Sequence, residues 1–261
     1  MDYLKKSLGQ NFLTDKNIVR KILNLIKIKD QNIIEIGPGS GFLTDNILEQ
    51  KPKTITLIEK DDLLAKKLSK RYYSNKTIKI INSDILKFKI DKLIKKDTII
   101  FGNLPYNISS QIFIKFSRLG SEFFKIKNIV FMFQKEVGEK ICGKYSYPNY
   151  GRLSIIANYR YDIVEKFLVS ANCFFPRPKV DSMVILFKPK KQKKYIIKNV
   201  LNLEKVTNII FSNKRKMINK NIKKILKPSQ IIRLKNLNLK NRPSELTPEI
   251  YFKIAMEFEK N

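Results

Sequence analysis

The amino-acid sequence predicts an α/β fold built on a parallel sheet, followed by a small all-helical C-terminal domain. Between about residue 14 and residue 187, short apolar runs alternate with segments of helical periodicity, a pattern that favours parallel strands with helices on both faces of the sheet. The Lys-rich stretch KPKKQKKY at 188–195 breaks the alternation, and residues 196–261 show helical periodicity alone. We therefore assign residues 1–190 to a first domain and residues 191–261 to a helical domain.

The elements of the first domain follow in chain order. TDKNIVRKILNLIKI has helical spacing with Thr14 or Asp15 as its N-cap, and NIIEIG is a short apolar strand that ends at a glycine. GFLTDNILEQ is helical, TITLIE is a strand, and DDLLAKKLSKRY is a helix capped by Asp61. TIKIINSD, DTIIFGN and NIVFMFQ are further strands, separated by helical stretches near 88–95 and 109–118. KFLVS and SMVILFK are candidates for a terminal antiparallel pair.

The net charge restricts the class of partner. The chain has 53 Lys and Arg against 23 Asp and Glu, a formal charge of +30, and this excess favours nucleic acid over an anionic membrane surface. A second explanation for part of the excess is the Lys-, Ile- and Asn-rich composition, which is typical of AT-biased coding. No apolar run approaches the roughly 18 residues of a membrane span, and the N-terminus lacks an apolar signal segment. We expect a cytoplasmic protein without a membrane anchor.

The histidine and cysteine content excludes several mechanisms. The chain has no histidine, which excludes Ser-His-Asp and Cys-His catalysis and every zinc site that needs histidine. Cys142 and Cys173 do not have the spacing of metal ligands. We expect no bound metal.

A glycine-rich loop, EIGPGSG, follows the first predicted sheet strand. Its glycines are Gly37, Gly39 and Gly41, whereas the dinucleotide fingerprint requires a glycine at the position of Phe42. Pro38 also removes a backbone donor that a pyrophosphate would use. The loop therefore suits a ligand that lies close to the backbone better than it suits a phosphate group.

Two acidic residues follow the next two predicted strands. Glu59 comes twenty-two positions after Gly37, where a carboxylate can accept both hydroxyls of a ribose, and Asp84 can accept a hydrogen bond from an adenine amine. Since the carboxyl ends of parallel strands meet at one crevice, these residues together predict a nucleoside site without a phosphate grip. S-adenosylmethionine fits that description better than NAD. For either acid alone, a solvated strand end or a helix cap is the alternative.

The tetrapeptide NLPY at 103–106 lies just past the next strand. The exocyclic amine of adenine is conjugated with its ring, so methyl transfer to it requires acceptors that free its lone pair and stabilise the developing positive charge. The side-chain oxygen of Asn103 and a fixed backbone carbonyl are suitable acceptors, Pro105 fixes the turn, and Tyr106 offers a stacking face for a base. The alternative is a plain loop with an aromatic side chain packed inward.

A second aromatic segment, FFPRPKVDS, occupies residues 174–182. Its Pro-x-Pro sequence is rigid and holds Phe174 and Phe175 just outside the sheet. A ring that faced Tyr106 would sandwich a flipped-out base. The alternative places one or both rings in the core.

Six segments resemble, in order, the ribosomal RNA adenine dimethyltransferases: SLGQNFL (7–13), EIGPGSGFLT (35–44), FGNLPYNIS (101–109), QKEV (134–137), YGRLS (150–154) and FFPRPKVDS (174–182). The resemblance covers nearly the whole chain and is strongest to the bacterial small-subunit branch. It implies a Rossmann-like class I methyltransferase fold, S-adenosylmethionine as donor, and dimethylation of two adjacent adenosines in a hairpin near the 3′ end of 16S rRNA in a pre-30S particle.

The resemblance also implies roles for individual residues. Those that would contact the donor are Asn11, Leu13, Gly37, Glu59, Asp84 and Asn103. Those that would hold the target adenine are Asn103, Leu104 and Tyr106, with Phe174 stacking on it. Pro105, which fixes the turn, completes the predicted catalytic set. Phe174 is the ring that matches the family's Phe-x-Pro-x-Pro pattern, and the role of Phe175 stays open.

The basic segment NKRKMINKNIKK at 213–224 is predicted to be a helix with basic residues on more than one face. We expect it to contact RNA phosphates through residues that include Lys214, Arg215 and Lys216, and we expect a monomer. The alternative is a solvated face.

Three other functions stay open. They are a large-subunit rRNA methyltransferase of the macrolide-resistance type, a non-catalytic nucleic-acid-binding factor on the same fold, and a DNA adenine methyltransferase. The last is disfavoured because such enzymes usually carry an acidic residue or a second proline in the tetrapeptide.

Overall fold

The computed structural model describes residues 11–191 and 194–260. The first four residues of the SLGQNFL segment, and residues 192–193 of the KPKKQKKY stretch, lie outside the described residues. The chain forms two compact units. The sheet unit comprises the described residues up to Gly138 together with Ile163–Pro189, and the helical unit comprises Glu139–Asp162 together with the described residues from Lys190 onward.

The units differ from the predicted division in one respect. The boundary predicted near residue 190 coincides with the last passage of the chain between the units, but Glu139–Asp162 groups with the C-terminal helices. The physical reason is that Tyr150, Ile155 and Tyr159 from this segment are buried in the same apolar core as those helices. Sequence periodicity does not reveal which core a helix will join.

The described strands and helices agree with most of the predicted elements. The strands are β1 (Phe12–Leu13), β2 (Asn32–Ile36), β3 (Thr54–Glu59), β4 (Ile78–Asn82), β5 (Thr98–Asn103), β6 (Ile126–Gln134), β7 (Tyr161–Val169), β8 (Phe174–Phe175) and β9 (Ser182–Pro189). The α-helices are α1 (Lys16–Leu23), α2 (Phe42–Glu49), α3 (Asp62–Arg71), α4 (Ser109–Ser117), α5 (Lys135–Ile141), α6 (Arg152–Arg160), α7 (Val200–Phe211), α8 (Asn219–Ile222), α9 (Pro228–Arg233) and α10 (Pro248–Phe258). None of these helices is long and apolar enough to cross a bilayer.

The main sheet has seven strands in the order β4-β3-β2-β5-β6-β9-β7. The strands from β4 to β6 in this order pair in parallel, and β9 pairs antiparallel with β6. The predicted partners KFLVS and SMVILFK lie in β7 and β9, which are neighbours. From β2 the chain builds the sheet in one direction through β3 and β4, and it then returns to place β5 on the other side of β2. The carboxyl ends of β2 and β5 therefore form a topological switch point, where open α/β sheets bind ligands.

The central strands β2, β5, β6 and β9 are buried on both faces of the sheet. Alternate residues of β6 point to opposite faces: Val130 and Met132 join the core that contains α1 and α2, whereas Phe131 and Phe133 make edge-to-face contacts on the other face, where Phe113 of α4 lies against Phe133. Helices thus cover both faces, as parallel strands require.

Two helices begin at the predicted N-caps, whereas one predicted helix does not form. Asp15 accepts hydrogen bonds from the backbone of Asn17 and Ile18 at the start of α1, and Asp61 does the same for α3. The stretch predicted as helical near 88–95 contains only a 3₁₀ turn, Ile90–Leu93. Only Ile90 and Ile94 of this stretch are buried, and so short a segment gains too little packing to sustain an α-helix.

The helical unit corrects a second prediction. The basic segment 213–224 is not one helix, because α7 ends at Phe211, a turn follows, and α8 has four residues. One side of the segment is apolar, since Ile218 and Ile222 are buried in the core of the unit. The expected RNA-binding residues Lys214, Arg215 and Lys216 are exposed in the turn between the two helices.

Candidate active site

A cavity opens at the carboxyl ends of β2, β3 and β5, at the switch point of the sheet. Its empty space, counted together with the open solvent at its mouth, is about 480 Å³. The described residues that line it are Asn11, Phe12, Gly37, Gly39, Glu59, Leu64, Asn103, Leu104, Pro105 and Tyr106. The structure therefore brings together the glycine loop, Glu59 and the NLPY turn, as the strand order predicts.

The glycine loop directs its backbone donors into the protein. The N–H of Gly37 donates to the carbonyl of Ile58 at 2.9 Å, and that of Gly41 donates to the carbonyl of Pro38 at 2.9 Å. The N–H of Gly39 donates to Oε2 of Glu59 at 3.1 Å. These bonds leave the loop poorly suited to cradle a phosphate.

Backbone geometry favours glycine at all three positions of the loop, and Gly41 has φ 82°. Gly37 has φ 65° and Gly39 has φ 58°, both in the left-handed region. A Cβ at position 39 would also lie 2.6 Å from the ring of Phe12. The N-terminal strand β1 therefore packs directly on the loop.

Glu59, at the end of β3, is 6% exposed. Its Oε1 accepts a hydrogen bond from the backbone of Asp61 at 2.9 Å, while Oε2 holds Gly39. Burial raises the pKa of Glu59, whereas the backbone donors favour its ionised form. Because a carboxylate has about four acceptor positions, this side chain can still accept hydrogen bonds from a ligand.

Asn103 faces the cavity with a defined amide orientation. Its Nδ2 donates to the backbone carbonyl of Asn11 at 3.0 Å. Oδ1 accepts no hydrogen bond from the part of the chain that the structure describes. The amide therefore presents an acceptor to a ligand, as the proposed chemistry requires.

Tyr106 is anchored through its hydroxyl. The phenol oxygen lies 2.5 Å from Oγ of Ser182, which is fully buried at the start of β9. Burial raises the pKa of Tyr106, against the effect of this hydrogen bond. The ring is therefore a neutral aromatic face held at the cavity wall.

Three of the predicted site residues do not line the cavity. Phe174 is 4% exposed and belongs to the core, where it pairs across β1–β8 with Leu13, which is also buried. Asp84 forms an ion pair with Lys60 at 2.9 Å and accepts from the backbone of Leu86 at 2.9 Å. Although burial raises the pKa of Asp84, the bonds from Lys60 and Leu86 hold it below its usual value.

Sequence reasoning missed other contributors. Phe12 and Leu64 line the cavity, and Ser182 holds Tyr106. Phe12 and Ser182 lie within segments already singled out, so their motifs were a usable signal. Leu64 lies in the first turn of α3, and nothing in its sequence context distinguishes it from a core leucine.

A buried carboxyl group stands behind the glycine loop. Glu35, the first residue of EIGPGSG, is 2% exposed and accepts a hydrogen bond from Oγ1 of Thr44 at 2.7 Å. Burial raises the pKa of Glu35 to about 7, and the nearby carboxylates of Glu59 and Asp45 act in the same direction.

A family model described as ribosomal RNA adenine dimethylase matches residues 1–260. The chain belongs to the ribosomal RNA adenine dimethylase family. Its relatives include a "Ribosomal RNA small subunit methyltransferase A" of Pelagibacter ubique, 42% identical over 98% of this chain and 97% of the relative. Another, of the same description from Francisella tularensis subsp. novicida, is 40% identical over 87% of this chain and 86% of the relative. The predicted family and the predicted enzyme class, an rRNA adenine dimethyltransferase, are confirmed.

Solved structures confirm the predicted Rossmann-like class I methyltransferase fold. A dimethyladenosine transferase from Plasmodium falciparum superimposes with a TM-score of 0.76 and 25% identity, over 95% of this chain and 98% of that one. The 23S rRNA methyltransferase ErmE has a TM-score of 0.67 at 20% identity, over 95% of this chain and 100% of that one; at that identity the likeness concerns the fold alone.

Membership of a methyltransferase family implies S-adenosylmethionine as the methyl donor, and the cavity fits that group. Among the described residues that line it, Glu59 is the one acidic residue, and neither Lys nor Arg lines it. A cavity with an acidic residue and no cation suits the hydroxyls of a ribose and a positively charged sulfonium group, and it does not suit a phosphate. No cluster of three or more potential metal ligands occurs in the described part of the chain.

Proposed function

We propose that this protein transfers methyl groups from S-adenosylmethionine to the N6 amines of two adjacent adenosines in a hairpin near the 3′ end of 16S rRNA. The observation that carries the proposal is the meeting of Glu59 and the NLPY turn in one cavity. The names of the relatives, which specify the small ribosomal subunit, support that substrate. We place the reaction on a pre-30S particle in the cytoplasm, with the protein acting as a monomer.

The donor would be held by residues around the glycine loop. Glu59 would accept the ribose hydroxyls, and the other proposed contacts are Asn11, Leu13, Gly37, Asp84 and Asn103. S-adenosylmethionine supplies an electrophilic methyl group on a sulfonium centre. For Asp84 to bind the adenine amine, its carboxylate must share or exchange the bond to Lys60.

The target amine would be activated by acceptors in the NLPY turn. Oδ1 of Asn103 and a backbone carbonyl of the turn would accept its N–H groups, which draws the nitrogen toward tetrahedral geometry. These hydrogen bonds strengthen as positive charge develops on the nitrogen, so they favour the transition state over the ground state. Pro105 fixes the turn, and Leu104 is fully buried beneath it.

The target base would stack on Tyr106. Ser182 holds this ring, so stacking would not require the side chain to be ordered on binding. We also propose Phe174 as a second stacking ring, on the resemblance to the family. That role requires a ring that is 4% exposed to become accessible to the base.

The test is transfer of labelled methyl groups to small-subunit particles that lack the modification, with large-subunit RNA in parallel and the product nucleoside identified. Dimethyladenosine in small-subunit RNA alone is the expected result. Label in large-subunit RNA would instead assign the macrolide-resistance activity. RNA binding without any transfer would assign a non-catalytic factor.

A further inference from the structure

A surface loop is attached to the cavity at both of its ends. We call residues 175–181, which comprise the last residue of β8 and the segment that leads to β9, the proline loop. At its start, Phe175 pairs through the backbone with Phe12, which lines the cavity. Just after its end, Ser182 holds the hydroxyl of Tyr106. The loop therefore lies at the rim of the cavity.

The proline loop is held in place by its own backbone and by its neighbours. Oδ1 of Asp181 accepts a hydrogen bond from the backbone of Ala171 at 2.9 Å, and its carbonyl accepts one from the backbone of Lys135 at 2.9 Å. Pro176 and Pro178 each fix one φ angle. A surface fixed in this way loses little conformational entropy when it binds a partner.

The side chains that the loop presents to solvent include an aromatic ring, two basic groups and one smaller aliphatic group, Val180, which is 45% exposed. Strand alternation in β8 buries Phe174 and leaves Phe175 49% exposed. Arg177 and Lys179 are exposed, and neither forms an ion pair with a carboxylate of the described residues. The one acid in the loop, Asp181, is engaged with Ala171.

This combination matches single-stranded nucleic acid. Proteins that bind single strands use aromatic faces on which bases stack and cations that contact the backbone phosphates. An apolar surface without cations would instead suit a protein partner. Neither core packing nor the cavity chemistry accounts for a half-exposed Phe175 between a buried ring and two cations.

We propose that the proline loop binds the RNA strand beside the target adenosine. Phe175 stacks on a base that flanks the target, and Arg177 and Lys179 contact the adjacent phosphates. Phe175 therefore sets the placement of the strand and does not touch the base that is methylated. This inference rests on the proposed function, because it assumes an RNA substrate at the cavity.

The first experiment compares Phe175→Ala, Phe175→Leu and Phe175→Trp in methyl transfer to unmodified small-subunit particles. Phe124→Ala is the matched control: Phe124 is 45% exposed and precedes β6, at the amino ends of the parallel strands, away from the cavity. We expect Phe175→Ala to raise KM for the particle about tenfold, the effect of losing one base–aromatic stack. Phe175→Leu keeps the apolar bulk and should also raise KM, whereas Phe175→Trp should stay within about twofold of the parent.

The other measured quantities distinguish a role in positioning the RNA strand from an effect on folding or on donor binding. The kcat value, the melting temperature and the affinity for S-adenosylmethionine should be unchanged in all three variants. An unchanged KM in both Phe175→Ala and Phe175→Leu, or a KM restored as well by Leu as by Trp, would overturn the stacking role. If the parent protein itself transfers no methyl group, the proposed function fails. If the parent is active and the Phe175 variants have the parent's KM, only the stacking role of Phe175 fails.

The second experiment tests the phosphate contacts and the nature of the partner. The double variant Arg177→Gln, Lys179→Gln should make the log–log salt dependence of binding shallower by about 1.4, since each single-strand phosphate contact contributes about 0.7. The probe is a protein-free RNA hairpin whose loop holds two adjacent adenosines. An unchanged slope, or a defect on particles that is absent with the protein-free RNA, would indicate a protein partner on the loop and overturn the proposal.

Discussion

In our proposal, the cavity binds the methyl donor and the target base, whereas the turn between α7 and α8 binds RNA phosphates. The two regions differ in the charge of their side chains. The cavity has one acidic lining residue, Glu59, and no Lys or Arg among the described residues that line it. The turn exposes Lys214, Arg215 and Lys216 in succession. In a chain with a formal charge of +30, the described lining of the cavity thus contains no cation, whereas the turn exposes three. Net charge predicts the class of partner, but it does not predict the chemistry of the catalytic cavity.

The largest difference between the chemistry of the cavity and RNA binding is expected for Asn103→Ala. Loss of the only acceptor presented by this amide should lower kcat by about a thousandfold, as for removal of a group that stabilises developing charge. RNA affinity should stay within about twofold, because a single neutral side chain in the cavity carries no phosphate contact. Single-turnover methylation and filter binding measure the two quantities. Full activity in this variant would remove Asn103 from the chemistry.

The second prediction concerns the protonation state of Glu35, which is buried behind the glycine loop, and the pH dependence of stability that follows from it. Its pKa is raised from 4.5 to about 7 in the folded protein, so the stability that it contributes is complete below pH 4.5 and is lost as pH rises through 7. By linkage, the parent should lose roughly 3 kcal/mol of unfolding free energy from this group between pH 4 and pH 8. Glu35→Gln should flatten that part of the profile, whereas Glu49→Gln, an exposed control on α2, should not. Urea unfolding at several pH values provides the comparison, and parallel profiles for parent and Glu35→Gln would show that Glu35 is ionised in the fold.

Charge reversal of Lys214, Arg215 and Lys216 is the complementary test on the turn. RNA affinity should fall about tenfold or more at low salt, and the salt slope should become shallower by about 2. Affinity for S-adenosylmethionine, measured by calorimetry without RNA, should not change. A variant that binds RNA with the parent's slope would remove these residues from the interface.

The smallest effect is expected for Ser182→Ala, which releases the Tyr106 hydroxyl but keeps its ring. We expect kcat/KM to fall about fivefold, the cost of one lost hydrogen bond of roughly 1 kcal/mol. Tyr106→Phe should cause a similar loss, and the double variant should lose little more, because both changes remove the same bond. Ser117→Ala is the matched control, a fully buried serine that donates to its own helix at Phe113. Additive losses in the double variant would show that the two residues act separately.

Sequence reasoning located the site because parallel strands bring their carboxyl ends together. Gly37, Glu59 and Asn103 follow three such strands, so their convergence depends only on the strand order. It did not settle which phenylalanine is exposed, since the alternation of β8 is fixed by pairing with a two-residue strand far away in the chain. It also predicted one basic helix where the chain forms a turn and a four-residue helix. Ile218 and Ile222 lie in sequence between basic residues, and their burial depends on long-range packing that the local sequence does not show.

The bonds that close the cavity join distant parts of the chain, and this has a consequence for the newly made protein. The hydrogen bond from Asn103 to Asn11 spans 92 positions, and the bond between Tyr106 and Ser182 spans 76. Such non-local contacts form only after the loop-closure entropy between them has been overcome. A nascent chain that has not yet emerged as far as β9 lacks the group that fixes the Tyr106 ring, so the mature site is completed late in synthesis, after most of the sheet unit has been translated.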